Sequence, residues 1–227
     1  MSITMAFLLA LALSAVLCLL YAKVLAPVYH LKYCDKDYTE LSAFNIMLGF
    51  LICMAAFWPL CIRLADSSFN LWSILVCALL LTASAVDFYY KKIPNELVLI
   101  ILATAVIISV YNTIIFDDYN YLMITLGGGI TAVAPLIAAV LLFEKGVGSG
   151  DIKLIFAAGA FLGSTHAFYF FFLTFLLAFF GAIFLIIRKK AGRRSRIIMA
   201  PFMAAAFVIT VYFQYFLQGI NMYWWLR

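Results

Sequence analysis

Charge is what this sequence has least of. Only 11% of its 227 residues are Asp, Glu, Lys or Arg, against about a quarter in an average soluble domain. A water-soluble globular fold is excluded on that ground. Histidine is scarce too, with His30 and His166 alone. The five cysteines, Cys18, Cys34, Cys53, Cys61 and Cys77, form no Cys-x-x-Cys pair, so neither a zinc site nor a disulfide framework follows from their spacing. Four of them lie in apolar runs, where a free cysteine acts as a small core hydrophobe. There is no internal repeat and no low-complexity tract. The longest polar connection spans about 26–43, too short for a soluble domain. The first apolar run, Ile3 to Leu20, has no basic start and is too long for a signal-peptide core, so it reads as a retained helix.

What is there is hydrophobic: 68% of the residues, with a mean hydropathy of +1.14. The apolar residues come in long runs rather than in alternation, the signature of membrane spans. The runs are about 3–25, 44–64, 70–86, 96–115, 121–143, 152–163, 167–187 and 198–217. The fold expected is therefore all-α, a polytopic transmembrane bundle of about eight helices in a single membrane-embedded domain over residues 1–227.

The net charge of +5 does not signal nucleic acid, because the basic residues sit between the apolar runs and report topology. Cytoplasmic loops collect Lys and Arg. With the N-terminus outside, the inner segments hold Lys23, Lys32, Lys36, Lys91, Lys92, Lys145, Lys153 and the six basic residues from Arg188 to Arg196. Only Arg63 and Arg227 fall outside. Merging the sixth and seventh runs would send the Arg188 cluster outward, so two helices are expected over 151–187. Gly127-Gly128-Gly129 inside the fifth run fits close helix packing better than a hinge.

Most of the ten acidic residues fall in loops and need no further account. Glu96 follows Ile93-Pro94-Asn95 at a helix start, where a carboxylate suits the helix dipole and proline is tolerated in the first turn. Two acids differ. Asp87 ends an apolar run and has no charge within three residues. Asp151 opens another, directly after Gly146-Val147-Gly148-Ser149-Gly150. They are 64 residues apart with two helices between them, so both come to the same membrane face.

Peptide hydrolysis needs a base to activate water and an acid to protonate the leaving nitrogen. Two carboxyls sharing one proton supply both, because adjacent like charges cannot both ionise. Gly146, Gly148 and Gly150 allow close backbone approach and would seat an extended substrate beside Asp151. A plain flexible connection is the other reading of those glycines. Lys153 is either an interfacial lysine whose stem lies along apolar surface or a residue tuning the site. Ser149 has no histidine near it, which removes a serine-protease reading. His30 and His166 fall on opposite faces, so no metal site is expected.

Asp87 followed by Lys91-Lys92-Ile93-Pro94-Asn95 resembles a motif in which an aspartate precedes a basic stretch and Ile-Pro-Asn. Gly148-Ser149-Gly150-Asp151-Ile152-Lys153-Leu154 looks like a Gly-x-Gly-Asp motif with its trailing x-Lys-Leu. Ala157 to Gly163 continues that pattern, and Ala200-Pro201-Phe202 resembles a proline-containing start to a last helix. Together these resemble the type IV prepilin peptidases over roughly 70–217.

The resemblance implies an intramembrane aspartyl endopeptidase with Asp87 and Asp151 as its catalytic residues. Gly146, Gly148, Gly150, Lys153, Pro94 and Asn95 would shape the site. It further implies a bacterial inner-membrane enzyme, its active site facing the cytoplasm, that removes basic leaders from prepilins or pseudopilins of type IV pili and secretion systems. Hydrolysis would need no cofactor. S-adenosylmethionine would enter only with the family's second activity, N-methylation. Larger members carry paired Cys-x-x-Cys motifs after the first helix, and here that place holds a short segment with Cys34 alone.

Two other readings stand beside this one. A presenilin-like protease also uses Gly-x-Gly-Asp, but normally with Tyr-Asp at the first aspartate and Pro-Ala-Leu late in the chain. Here Val86 precedes Asp87 and the late proline reads Ala200-Pro201-Phe202. A transporter would use Asp87 and Asp151 for ion relay, although both acids are expected at one face rather than at mid-membrane.

Overall fold

The computed structural model describes residues 3–33, 43–62, 69–143, 148–188 and 198–219. Among these the ordered elements are helical: α1 Ile3–Leu20, a π-helical turn Tyr21–Leu25, α2 Ala26–Tyr33, α3 Ala43–Ile62, α4 Phe69–Tyr90, α5 Asn95–Phe116, α6 Asn120–Phe143, α7 Ser149–Leu162, α8 Ser164–Ile187 and α9 Ala200–Gly219. The residues flanking the π turn keep right-handed helical dihedrals. α1, the turn and α2 are thus one continuous rod, and the described residues make eight rods.

Helix is the expected answer for these runs, because without water every backbone N–H and C=O must be satisfied within its own segment. Among the described residues five stretches are long and apolar enough to cross a membrane: Leu8–His30, Leu71–Tyr90, Asn95–Phe116, Asn120–Ala138 and Ser164–Phe184. The chain is a multi-pass membrane protein.

One boundary departs from the sequence expectation. The segment read as a polar connection from residue 26 is helical to Tyr33. The cause lies at Pro27, which has no N–H and whose ring crowds the carbonyl four residues back. The helix absorbs it by widening to a π turn just upstream, where the Ala26 N–H donates to the Tyr21 carbonyl. Such turns let a helix continue past a defect. The extension is held by the Tyr90 hydroxyl, which donates to the Ala26 carbonyl at 3.4 Å. An ion pair between Lys32 and Glu96 ties its end to the start of α5.

The packing follows side-chain size. α7 lies at the centre, against α5, α6, α8 and α9, and is buried from Ala157 through Leu162. The glycine run on α6 is a packing surface: a Cβ on Gly128 would overlap the Gly159 and Gly163 backbones, and one on Gly129 would meet the Phe156 ring at 2.6 Å. Large apolar side chains such as Leu99, Ile107 and Ile114 point outward, and Ile114 is 74% exposed, as suits a lipid-facing surface. Buried hydroxyls bond back to the carbonyl four residues earlier, as Thr82, Thr104, Thr113 and Thr174 do at 2.7–2.9 Å.

The stretch 151–187 is two helices, as the charge distribution required. The break is Gly163, whose φ of +77° is a left-handed conformation that glycine accepts without strain. Its N–H closes α7 on the Gly159 carbonyl at 3.0 Å, and its carbonyl accepts the Ala167 N–H of α8 at 2.9 Å. With 14 residues, α7 is about 21 Å long, less than the roughly 30 Å hydrocarbon core.

Candidate active site

The C-terminal end of α4, the first turn of α7 and the first turn of α9 meet at one end of the bundle. α4 runs on to Tyr90, so Asp87 lies within its last turn rather than beyond it. Its side chain is buried, at 8% exposed. The helix ends at Lys91, which takes a φ of +53° while its N–H donates to the Asp87 carbonyl at 2.9 Å. Buried Pro94, with φ −65° and ψ 129°, is the extended residue that caps α5 and stands just outside its first turn.

Two backbone donors serve the acids. The Ala200 N–H, free because it opens α9, donates to the Asp87 carboxylate. The positive end of a helix stabilises an anion there. Pro201 follows within the first turn of the same helix, where its missing N–H leaves no bond unmade. The Asp151 carboxylate, at the third helical position of α7, accepts the N–H of the capping residue Gly148. That is the reciprocal half of a capping box.

Capping alone would account for one carboxylate at each helix start. It does not account for their convergence. Burial pushes the Asp151 carboxyl up to about 6, and the Asp87 charge adds to the rise against the opposing Gly148 hydrogen bond. Each acid thus lies within electrostatic reach of the other, which adjacent helix caps would not require.

The two sequence motifs are packed against one another. A Cβ on Gly150 would come within 3.2 Å of the Ile93 Cβ, and one on Gly148 within 2.8 Å of Asp151 Oδ2. Both glycines have ordinary negative φ, so proximity and not backbone freedom demands them. Lys153 Nζ donates to Asn95 Oδ1 at 3.2 Å on the exposed rim, bridging the two motifs without touching either acid. Gly146 and Cys34 lie outside the described residues. His30 packs edge-on to Tyr90 with centroids 6.2 Å apart, whereas His166 belongs to the first turn of α8. Among the described residues no cluster of three or more His, Cys, Asp or Glu is placed to hold a metal.

Sequence reasoning missed the Ala200 N–H as a partner of Asp87, and Ile93 as the side chain against Gly150. The Ala200-Pro201 pair stood out in the sequence, but a backbone donor gives no residue-type signal.

A family model described as the type IV leader peptidase family matches residues 74–187, half of the chain, and the match contains both Asp87 and Asp151. No curated protein matches the chain, and no solved structure does.

Proposed function

The chain belongs to the type IV leader peptidase family, the aspartic-type prepilin peptidases, and from that premise we propose that Asp87 and Asp151 are its catalytic pair. One carboxylate takes a proton from a water molecule as it attacks the scissile carbonyl. The other, protonated, gives its proton to the departing nitrogen. The roles then exchange, so one proton shared between two carboxyls suffices.

The observation that carries this reading is the convergence of two acids from separate helices, each tethered to a backbone N–H, with Asp151 raised to about 6. A raised carboxyl is what the acid partner needs near neutral pH. Rigid tethering to helix ends supports it, because reaction rates depend on sub-ångström placement.

The substrate proposed is the leader segment of a prepilin or pseudopilin, cut ahead of its apolar stem at the cytoplasmic face of a bacterial inner membrane. The distribution of basic residues supports that orientation. S-adenosylmethionine carries a charged sulfonium, an adenosine and an amino-acid head. Peptide hydrolysis takes nothing from it, so no step of the reaction runs through that molecule.

The test is cleavage of a prepilin by the purified chain, with the mass of the product measured. A product shortened by the leader is expected. Asp87→Ala and Asp151→Ala should each abolish it. Cleavage at the unmodified rate by either variant would end the reading, and loss of ion-driven uptake without a proteolytic defect would favour ion relay.

A further inference from the structure

The Ala200 N–H that holds the Asp87 carboxylate is a main-chain group, so its aim is set by whatever fixes the first turn of α9. We infer that Phe202 is a positioning residue for the reaction: its ring, seated in a notch that Gly181 leaves in α8, acts on Asp87 through the Ala200 N–H. The inference rests on the protease reading above and adds what keeps one of the two carboxylates in register.

The notch is defined by contact. A Cβ on Gly181 would lie on the tip of the Phe202 ring, 2.7 Å from Cε1, where ordinary contact needs roughly 3.5 Å. The ring therefore reaches the backbone of α8 at a position where no side chain stands in its way. Gly181 lies inside α8 and has an ordinary negative φ. Glycine weakens a helix interior relative to alanine, and no positive φ calls for it here, so space is its use. A side chain set into a notch fixes the height of one helix against another, as ridges do in grooves.

The ring is also well placed to act on the donor. Phe202 is two residues from Ala200 and belongs to the same turn. The Phe202 and Met203 N–H groups both donate to the Met199 carbonyl, at 3.0 and 3.1 Å. Pro201, between donor and ring, has its φ locked by its own ring. The turn moves as one piece, so displacing the Phe202 ring displaces the Ala200 N–H. That N–H stands at a helix start and has no partner within the helix; the Asp87 carboxylate takes it. α9 packs on both α8 and α4. Contact thus runs from Gly181 on α8, through Phe202 and the first turn of α9, to Asp87 on α4.

The experiment is steady-state cleavage of a prepilin in a cycle of Gly181→Ala, Ala200→Pro and both together. Gly181→Ala pushes the ring out of the notch. Ala200→Pro deletes the donor at a helix start, where proline is tolerated, and leaves the notch alone. Gly181→Ala should lower kcat about tenfold with KM unchanged, a part of the roughly hundredfold cost of a 1 Å misplacement. In the Ala200→Pro background it should cost no more than about twofold, because the donor it acts through is already gone. An equal fall in both backgrounds would mark a merely structural contact and overturn the inference. So would a fall carried by KM, or no fall.

Phe202→Leu supplies a second measurement, since it empties the notch without a clash. Combined with Gly181→Ala it should recover most of the lost kcat, the new methyl filling the space the ring tip left. A double variant as slow as Gly181→Ala alone would overturn the inference. If Gly181→Ala does not fold, Phe202→Leu takes its place in the cycle with Ala200→Pro, under the same expectations. If Asp87→Ala still cleaved, the protease reading would fail. A chain that needs Asp87 but is indifferent to both notch variants would sink this inference alone.

Discussion

Gly148→Ala puts the shared-proton account under the sharpest pressure, because the structure separates its effect on the acid from any effect on the fold. Gly148 caps α7 with φ −68° and ψ 138°, an extended conformation open to any residue. Its position is exposed, so the new methyl meets no core. It meets Asp151 Oδ2 at 2.8 Å, where ordinary contact needs roughly 3.5 Å.

The carboxylate must therefore swing away by more than half an ångström and release the Gly148 N–H. Misplacement on the scale of 1 Å costs about 10²-fold in rate, or roughly 2.7 kcal/mol of transition-state stabilisation. Folding should not suffer, since Gly→Ala at a compatible position gains about 0.4–1 kcal/mol through the unfolded chain. The assay is kcat/KM for prepilin cleavage alongside thermal unfolding in detergent. A fall of 10–100-fold at unchanged or higher Tm is expected. Undiminished cleavage would refute the reasoning, and so would loss of activity accompanied by a lower Tm.

Four further outcomes follow from the same geometry. Activity should be bell-shaped in pH. Its alkaline limb falls as the Asp151 carboxyl, at about 6, loses the shared proton, and a flat profile would contradict the pair. The same raised carboxyl favours the folded state while protonated, so its contribution is full below about 4 and is lost as pH rises through about 6; thermal scans across that window should register the loss in wild type and not in Asp151→Asn. Gly150→Val, which drives a side chain into Ile93, should lower activity and be partly rescued by Ile93→Ala, with a coupling of about 0.5–3 kcal/mol in a double-mutant cycle. Gly159→Ala places a methyl into Ala132 of α6 and should destabilise the bundle by about 1–3 kcal/mol through overpacking, read as lower Tm without a change in pH profile.

The architecture was legible because the bilayer leaves a chain few options. Long apolar runs must become helices, and the basic residues between them separate one helix from the next. That logic split α7 from α8 correctly, although the break is made by the single residue Gly163. It failed at Pro27, since a proline in a polar stretch reads as an interruption while the actual chain bends its hydrogen-bonding pattern into a π turn and stays helical. The two aspartates stood out because a carboxylate at the edge of an apolar run is costly and needs a reason. Their backbone partners at Gly148 and Ala200 were not legible, since a main-chain N–H belongs to every residue and only packing selects which one is aimed at an acid.

The central claim, that two carboxyls work as one unit, is tested most directly by a double-mutant cycle on prepilin cleavage with Asp87→Asn, Asp151→Asn and both together. Groups that act as a unit are grossly non-additive, so each single variant should fall to the same floor as the double, at least about 10³-fold below wild type. Additive losses, or a single variant retaining the wild-type rate, would contradict it.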